Sequence, residues 1–359
     1  MIRGSVRWVG PAKGWVYACR SADAARGLAL SVLLVAVVWA SPQETVLPGK
    51  PMPVIFDTDI CDDIDDTWAL ALLLRSPELD VKLITTAVGN TQAKAKVVAK
   101  FLQAVGRADI PIGIGITQGQ GSHRQIGWAD GYDLSSYPGA IHRDGVQALV
   151  DAVMKAPDRI TIIAVGPLPN IAAALDRQPR IAEKADFVGM HGSVRRGYGG
   201  RDKPDAEYNV KADVKAAQAV FVAPWRMTIT PLDTCGLVQL RGQTYQRVLT
   251  RKSPMTEALI DNYRVWIKQG LRDENKDMNE PELDRKVAET TKAGSTILFD
   301  TVAVYLALRP EQVTMEALPL RITDDGFTRI EPGSKVVHCA MAWKDRRTFE
   351  DWLASRITQ

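Results

Sequence analysis

The chain is poor in the residues that staple small folds or build zinc centres. Its 359 residues include four cysteines and four histidines. Cys19 lies in an amino-terminal leader, and Cys61, Cys235 and Cys339 follow no metal-binding spacing. At most one disulfide can form in the body, so the fold must rest on its core. There is no internal repeat and no low-complexity tract. With 46% hydrophobic and 24% charged residues, disorder is excluded and a sizeable core is available. An excess of positive charge is also missing from the body. Arg3, Arg7, Lys13, Arg20 and Arg26 against Asp23 make residues 1–40 +4, so a total of +3 leaves −1 for the other 319 residues. Global charge therefore gives no support to a nucleic-acid partner.

The basic start leads into Gly27–Ala40, fourteen uncharged residues, short for a membrane span of roughly 20. Val38 and Ala40 form a small-residue cleavage pattern before Ser41. Residues 1–40 read as a secretory signal, with an uncleaved anchor as the alternative. The body is then exported, periplasmic or secreted, with no stable membrane contact after cleavage. Residues 41–52 read as a Pro-bearing linker, and 53–359 as a single large domain.

In the body, short apolar runs alternate with helical stretches. Strands are predicted at 53–58, 81–88, 110–116, 160–165, 186–190 and 226–230. Helices are predicted at 67–75, 92–105, 146–154, 170–176, 213–221, 253–270 and 294–308. A charged tract, 272–289, separates the last two helices. Continuous apolar strands alternating with helices predict an α/β fold: an open, mostly parallel, Rossmann-like sheet with helices on both faces. Ligands of such sheets sit at the carboxyl ends of the strands. That rule directs attention to Asp57-Thr58-Asp59, Gly89-Asn90, Val165-Gly166 and Met190-His191, and to two Gly-rich loops at 117–141 and 191–206.

The segment Asp57-Thr58-Asp59-Ile60-Cys61-Asp62-Asp63-Ile64-Asp65-Asp66 puts six carboxylates in ten residues directly after an apolar strand. Packed so closely they repel, increasingly as the dielectric falls. A hard divalent cation resolves the conflict, and oxygen ligands without His or Cys favour calcium or magnesium over zinc. The spacing is not that of an EF-hand loop.

This segment resembles the amino-terminal signature of the inosine–uridine-preferring nucleoside hydrolase family, D-x-D-x-x-x-D-D. Asp57 and Asp59 match its first acids and Asp65-Asp66 its final pair, with two extra residues between. Four further segments resemble the family in order: ITTAVGN (84–90), IIAVGPLPNIAAAL (162–175), AEYNVKAD (206–213) and LFDTVAVYLAL (298–308). The resemblance implies one Ca2+ held by Asp59, Asp66, Asp300 and the carbonyl of Val165. It further implies a ribose held by Asp65, Asn90, Glu207 and Asn209, with Met190 beneath the sugar. The implied reaction is hydrolysis of an N-glycosidic bond of a small-molecule nucleoside, Asp59 serving as general base. A homodimer or homotetramer is implied as well.

The chain departs from the family twice. Phe299 stands where some members place a His before the late Asp, and loop 191–206 is longer. His142 and His191 are candidates for the missing acid, Tyr263 and Trp266 for stacking on a base, and Arg195, Arg196 and Arg201 for an anion. Two alternatives stay open: a ribosyl-binding or sensor protein without turnover, and a hydrolase of a modified ribosyl compound.

Overall fold

A computed structural model describes residues 50–119, 121–308 and 310–359. The expected signal and most of the linker lie outside the described residues. Among these residues, no helix is long and apolar enough to cross a membrane.

One ten-stranded sheet organises the body. Its strands are β1 (Met52–Thr58), β2 (Leu79–Thr86), β3 (Ile112–Ile114), β4 (Ile141–His142), β5 (Ile160–Ala164), β6 (Ala185–Met190), β7 (Met227–Thr230), β8 (Val313–Ile322), β9 (Thr328–Ile330) and β10 (Val336–Trp343). They lie in the order β4-β3-β2-β1-β5-β6-β7-β10-β8-β9. All neighbours from β4 to β10 pair in parallel, and β8 and β9 close that end antiparallel. The central strands β1 and β5 are buried along almost their whole length, which is why they read as unbroken apolar runs.

The principal helices are α1 (Asp65–Leu74), α2 (Thr91–Ala104), α3 (Gly145–Lys155), α4 (Pro169–Arg177), α5 (Tyr208–Ala212), α6 (Val214–Val222), α7 (Pro254–Glu274), α8 (Glu280–Ala293), α9 (Phe299–Leu308) and α10 (Arg346–Ile357). Side chains of α1, α2, α7, α9 and α10 make one apolar core, and those of α3, α4 and α6 make a second. The sheet therefore carries helices on both faces. The tract 272–289 is not a spacer. Most of it belongs to α8, which buries Leu283, Val287 and Thr291 at four-residue spacing and leaves its charges in solvent.

Strand order reverses at β1: β2 lies on one side and β5 on the other. The crevice at the carboxyl ends of β1, β5 and β6 is thus a topological switch point, the usual place for a ligand in an open α/β sheet.

Candidate active site

A cavity of about 520 Å³ opens there. That volume suits a small molecule. Asp59, Asp65, Asp66, Val165, Met190, Glu207, Asn209 and Asp300 all line it, together with Asp62, Asp63, Gly121, Ser122, Arg124, Tyr198, Tyr208 and Phe299. The sites expected from sequence thus converge from β1, β5, β6, α5 and α9, with one exception. Asn90 is exposed and is absent from the cavity wall. Its side chain caps α2 by accepting from the Ala93 N–H at 3.0 Å. A Gly-Asn pair after a strand signals a helix start as readily as a ligand contact, and in this structure Oδ1 makes the cap.

Asp65, Asp66 and Asp300 each bring a carboxylate oxygen within 4.8 Å of the others. Asp65 and Asp66 open α1 and Asp300 opens α9, so two helix amino-termini, with their partial positive charge, face the acids. The Asp300 N–H donates to Asp65 Oδ2 at 3.2 Å, and the Thr58 hydroxyl donates to Asp66 Oδ1. All three carboxyls are held well above their ordinary pKa, first by burial and then by neighbouring carboxylates. The sequence reading grouped Asp66 and Asp300 with Asp59. In the structure Asp65 also stands with Asp66 and Asp300, because α1 begins at Asp65 and presents both adjacent acids to α9, and Asp59 lines the same cavity.

Asp59 lies in the same cavity beside this trio. Its carboxylate packs against Gly166, where a Cβ would approach Asp59 Oδ1 to 2.6 Å, so only glycine leaves it room. Burial, then Asp62, pushes the Asp59 carboxyl up as well. Asp57, two residues earlier, is a different case. It sits opposite Thr85 in the sheet and accepts from the Thr85 hydroxyl and from Asn170 Nδ2 at 2.8 Å. It is fully buried, does not line the cavity, and is pushed up to about 6 by desolvation.

The rest of the wall is fixed by backbone. Asn209 Nδ2 donates to the carbonyls of Val165 at 2.8 Å and Met190 at 3.0 Å, tying the ends of β5 and β6 together. Glu207 accepts the N–H groups of Gly192, Asn209 and Val210, and burial raises its pKa to about 7.

Periodicity did not announce Lys94. It is fully buried on α2 and donates to Asp62 Oδ1 at 2.7 Å, the Asp59 carbonyl at 2.8 Å and the Ala87 carbonyl at 3.2 Å. Tyr208, the aromatic of the AEYNVKAD segment, donates its hydroxyl to the other Asp62 oxygen at 3.1 Å.

Several weaker candidates find structural roles. His191 is fully buried, bonds the Gly166 carbonyl at 3.0 Å, packs against Phe187 and Phe221, and is lowered to about 4 by burial. His142 is exposed on β4, away from this cavity. Tyr263 is buried and donates to the Gly294 carbonyl. Arg195, Arg196 and Arg201 are paired with Glu316, Asp202 and Asp205.

The model of the inosine-uridine preferring nucleoside hydrolase family matches residues 54–350. The chain belongs to that family. It is accordingly an enzyme, a nucleoside hydrolase. Over 236 residues it is 33% identical to the non-specific ribonucleoside hydrolase RihC of Escherichia coli, covering 62% of this chain and 75% of that protein. The RihC of Shigella boydii is 30% identical over 292 residues, 77% of this chain and 85% of the relative. Two solved folds are similar. A plant nucleoside hydrolase, PpNRh1, superposes with a TM-score of 0.70 at 24% identity, covering 86% of this chain and 99% of that one. An inosine-uridine preferring nucleoside hydrolase from Bacillus anthracis gives 0.65 at 15%, with the same coverage.

Proposed function

We propose that this nucleoside hydrolase is exported, depends on calcium, and splits the N-glycosidic bond of ribonucleosides into ribose and free base. The observation that carries the reading is the convergence of Asp65, Asp66 and Asp300 inside a cavity that Asp59, Glu207 and Asn209 also line. The donor set fits a hard divalent cation: three carboxylates, further oxygens from Asp59 and the Val165 carbonyl, and no His or Cys on the wall among the described residues. Bound there, a calcium ion supplies charge neutralisation and Lewis-acid polarisation of the oxygens it meets.

The chain's own groups supply the rest. Asp59 is seated tightly against Gly166, which holds its carboxylate in one place as a general base taking a proton from water requires. The carboxylates beneath the sugar stabilise the positive charge that develops on an oxocarbenium-like ring. Asn209, clamped across two strand ends, and Glu207, fixed by three backbone N–H groups, offer rigid hydrogen-bonding partners to a vicinal diol. Pairing of the loop arginines with acids removes the motive for a phosphorylated substrate.

Free ribose, measured after incubation with a panel of ribonucleosides and calcium, tests the reading. Release from several of them, abolished by Asp59→Ala, is expected. Ribose binding with no release from any nucleoside would favour the sensor alternative. The basic, then apolar, leader supports export, which amino-terminal sequencing of the mature protein checks. Light scattering checks assembly as a homodimer or homotetramer.

A further inference from the structure

When an N-glycosidic bond breaks, its electron pair leaves with the base. A group on the enzyme must then protonate that base or hold its negative charge. Most of the cavity wall is unsuited to this. Seven of its residues are acidic, and Phe299, beside Asp300, has no proton to give. Among the described residues, Arg124 is the one cationic side chain on the lining.

Its placement is built from several elements. The next residue, Gln125, is fully buried and fastened at three points: Oε1 accepts the Cys61 N–H at 3.0 Å, and Nε2 donates to Thr67 at 2.7 Å and Asn262 at 2.8 Å. The backbone that carries Arg124 is thereby tied to the acidic loop, to α1 and to α7. The guanidinium rests on α7, 5.4 Å from the centre of the Trp266 ring, with Nε 3.5 Å from Asp273. Gly270 makes the space, since a Cβ there would come within 3.0 Å of Arg124 Nη1. Trp266, Gly270 and Asp273, spaced by four and three residues, form one face of the helix. The contact to Asp273 is too long to be a good hydrogen bond. Nε is turned to Asp273, and the Nη1 and Nη2 N–H groups remain for an occupant of the cavity.

We propose that Arg124 is the catalytic residue that meets the leaving base and carries its negative charge. The proposal rests on the nucleoside-hydrolase reading and adds the group that reading lacks. The C1′–N bond breaks with its pair going to the base nitrogen, and water oxygen bonds to C1′ while its proton passes to Asp59. The base departs as an anion paired with the guanidinium and takes a proton from bulk water on release. Arg124 stays protonated throughout, as its basicity requires, so it acts by charge and fork-shaped hydrogen bonding rather than by proton transfer.

The test compares leaving groups. Against inosine and uridine, Arg124→Gln should lower kcat by about 10²- to 10³-fold, the range for removing one charge-stabilising donor. Against 4-nitrophenyl riboside, whose leaving group needs no help, the loss should stay within about threefold. Gly270→Ala keeps the arginine, suits a helix and crowds the guanidinium, so it should give a smaller loss with the same selectivity. Equal losses on both substrate types, or no loss on either, would overturn the proposal. Wild-type cleavage of 4-nitrophenyl riboside but of no nucleoside would also overturn it. A wild type that cleaves no riboside at all would bring down the underlying reading, and the proposal with it.

Discussion

Asp62 and the trio of Asp65, Asp66 and Asp300 share one cavity but solve the same electrostatic problem in opposite ways. Asp62 has a cation inside the fold: the fully buried Lys94 ammonium at 2.7 Å, with a second hydrogen bond from Tyr208. All three Lys94 protons are used, two of them on backbone carbonyls that hold the acidic loop in place. Among the described residues no cationic side chain forms an ion pair with the trio, and neighbouring carboxylates add to the burial that pushes each acid's pKa up. At an effective dielectric near 20, each close carboxylate pair costs on the order of 3–4 kcal/mol. A fold that pairs one acid with an internal cation and leaves three without an ion-pair partner a few residues away offers a place where a cation could bind.

The sharpest way to break this comparison is to remove one member of each set. Asp300→Asn should cut turnover by at least about a thousandfold, because the cation loses a ligand. The same change should stabilise the chelator-treated protein in urea, since it removes one of three repelling charges. Lys94→Met should do the reverse to stability, costing about 3–5 kcal/mol with or without calcium by stranding Asp62. Combining it with Asp62→Asn should recover most of that loss. If Asp300→Asn destabilises the cation-free protein, the trio is structural and the contrast disappears.

The pH dependence offers a finer cut. Burial raises the Glu207 pKa from 4.5 to about 7, so in that interval the folded chain keeps a proton that the unfolded chain has released. Stability from this group is full below about 4.5 and is lost as pH rises to 7, by about 3 kcal/mol at most. Urea midpoints measured in chelator should show that decline, and Glu207→Gln should flatten it.

The smallest expected effect concerns strain. Cys61, within the acidic loop, holds φ at 86° and Val88 holds φ at 63°. Both positions lie next to groups that Lys94 ties down. Cys61→Gly should stabilise the protein by about 1 kcal/mol, read from urea unfolding. No gain would mean that the Cys61 side chain offsets its strained backbone through packing.

Much of this was legible in the chain, for physical reasons. Parallel strands buried on both faces, such as 160–164, leave unbroken apolar runs. Asp213, the first residue of the expected helix 213–221, caps α6 by accepting from Ala216. The acidic segment was conspicuous because repulsion makes such density rare without a ligand. What escaped depends on partners distant in sequence. α8 shows only three inward positions among many charges, so it looked like a spacer. β8 carries Pro319 and mixes exposed with half-buried residues, which weakens its strand pattern. Lys94 could not be placed because a buried lysine is tolerable only where its acceptors meet it, and those come from the acidic loop and the end of β2. That Asp65 stands beside Asp66 and Asp300 likewise follows from where α1 begins.

The most direct test of the central claim is anomalous diffraction from crystals soaked in calcium. A single strong peak among the carboxylates of Asp65, Asp66 and Asp300, absent from crystals of the Asp300→Asn protein, is the predicted result. A fully soaked crystal with no peak there, or with its only peak outside the cavity, would contradict the account.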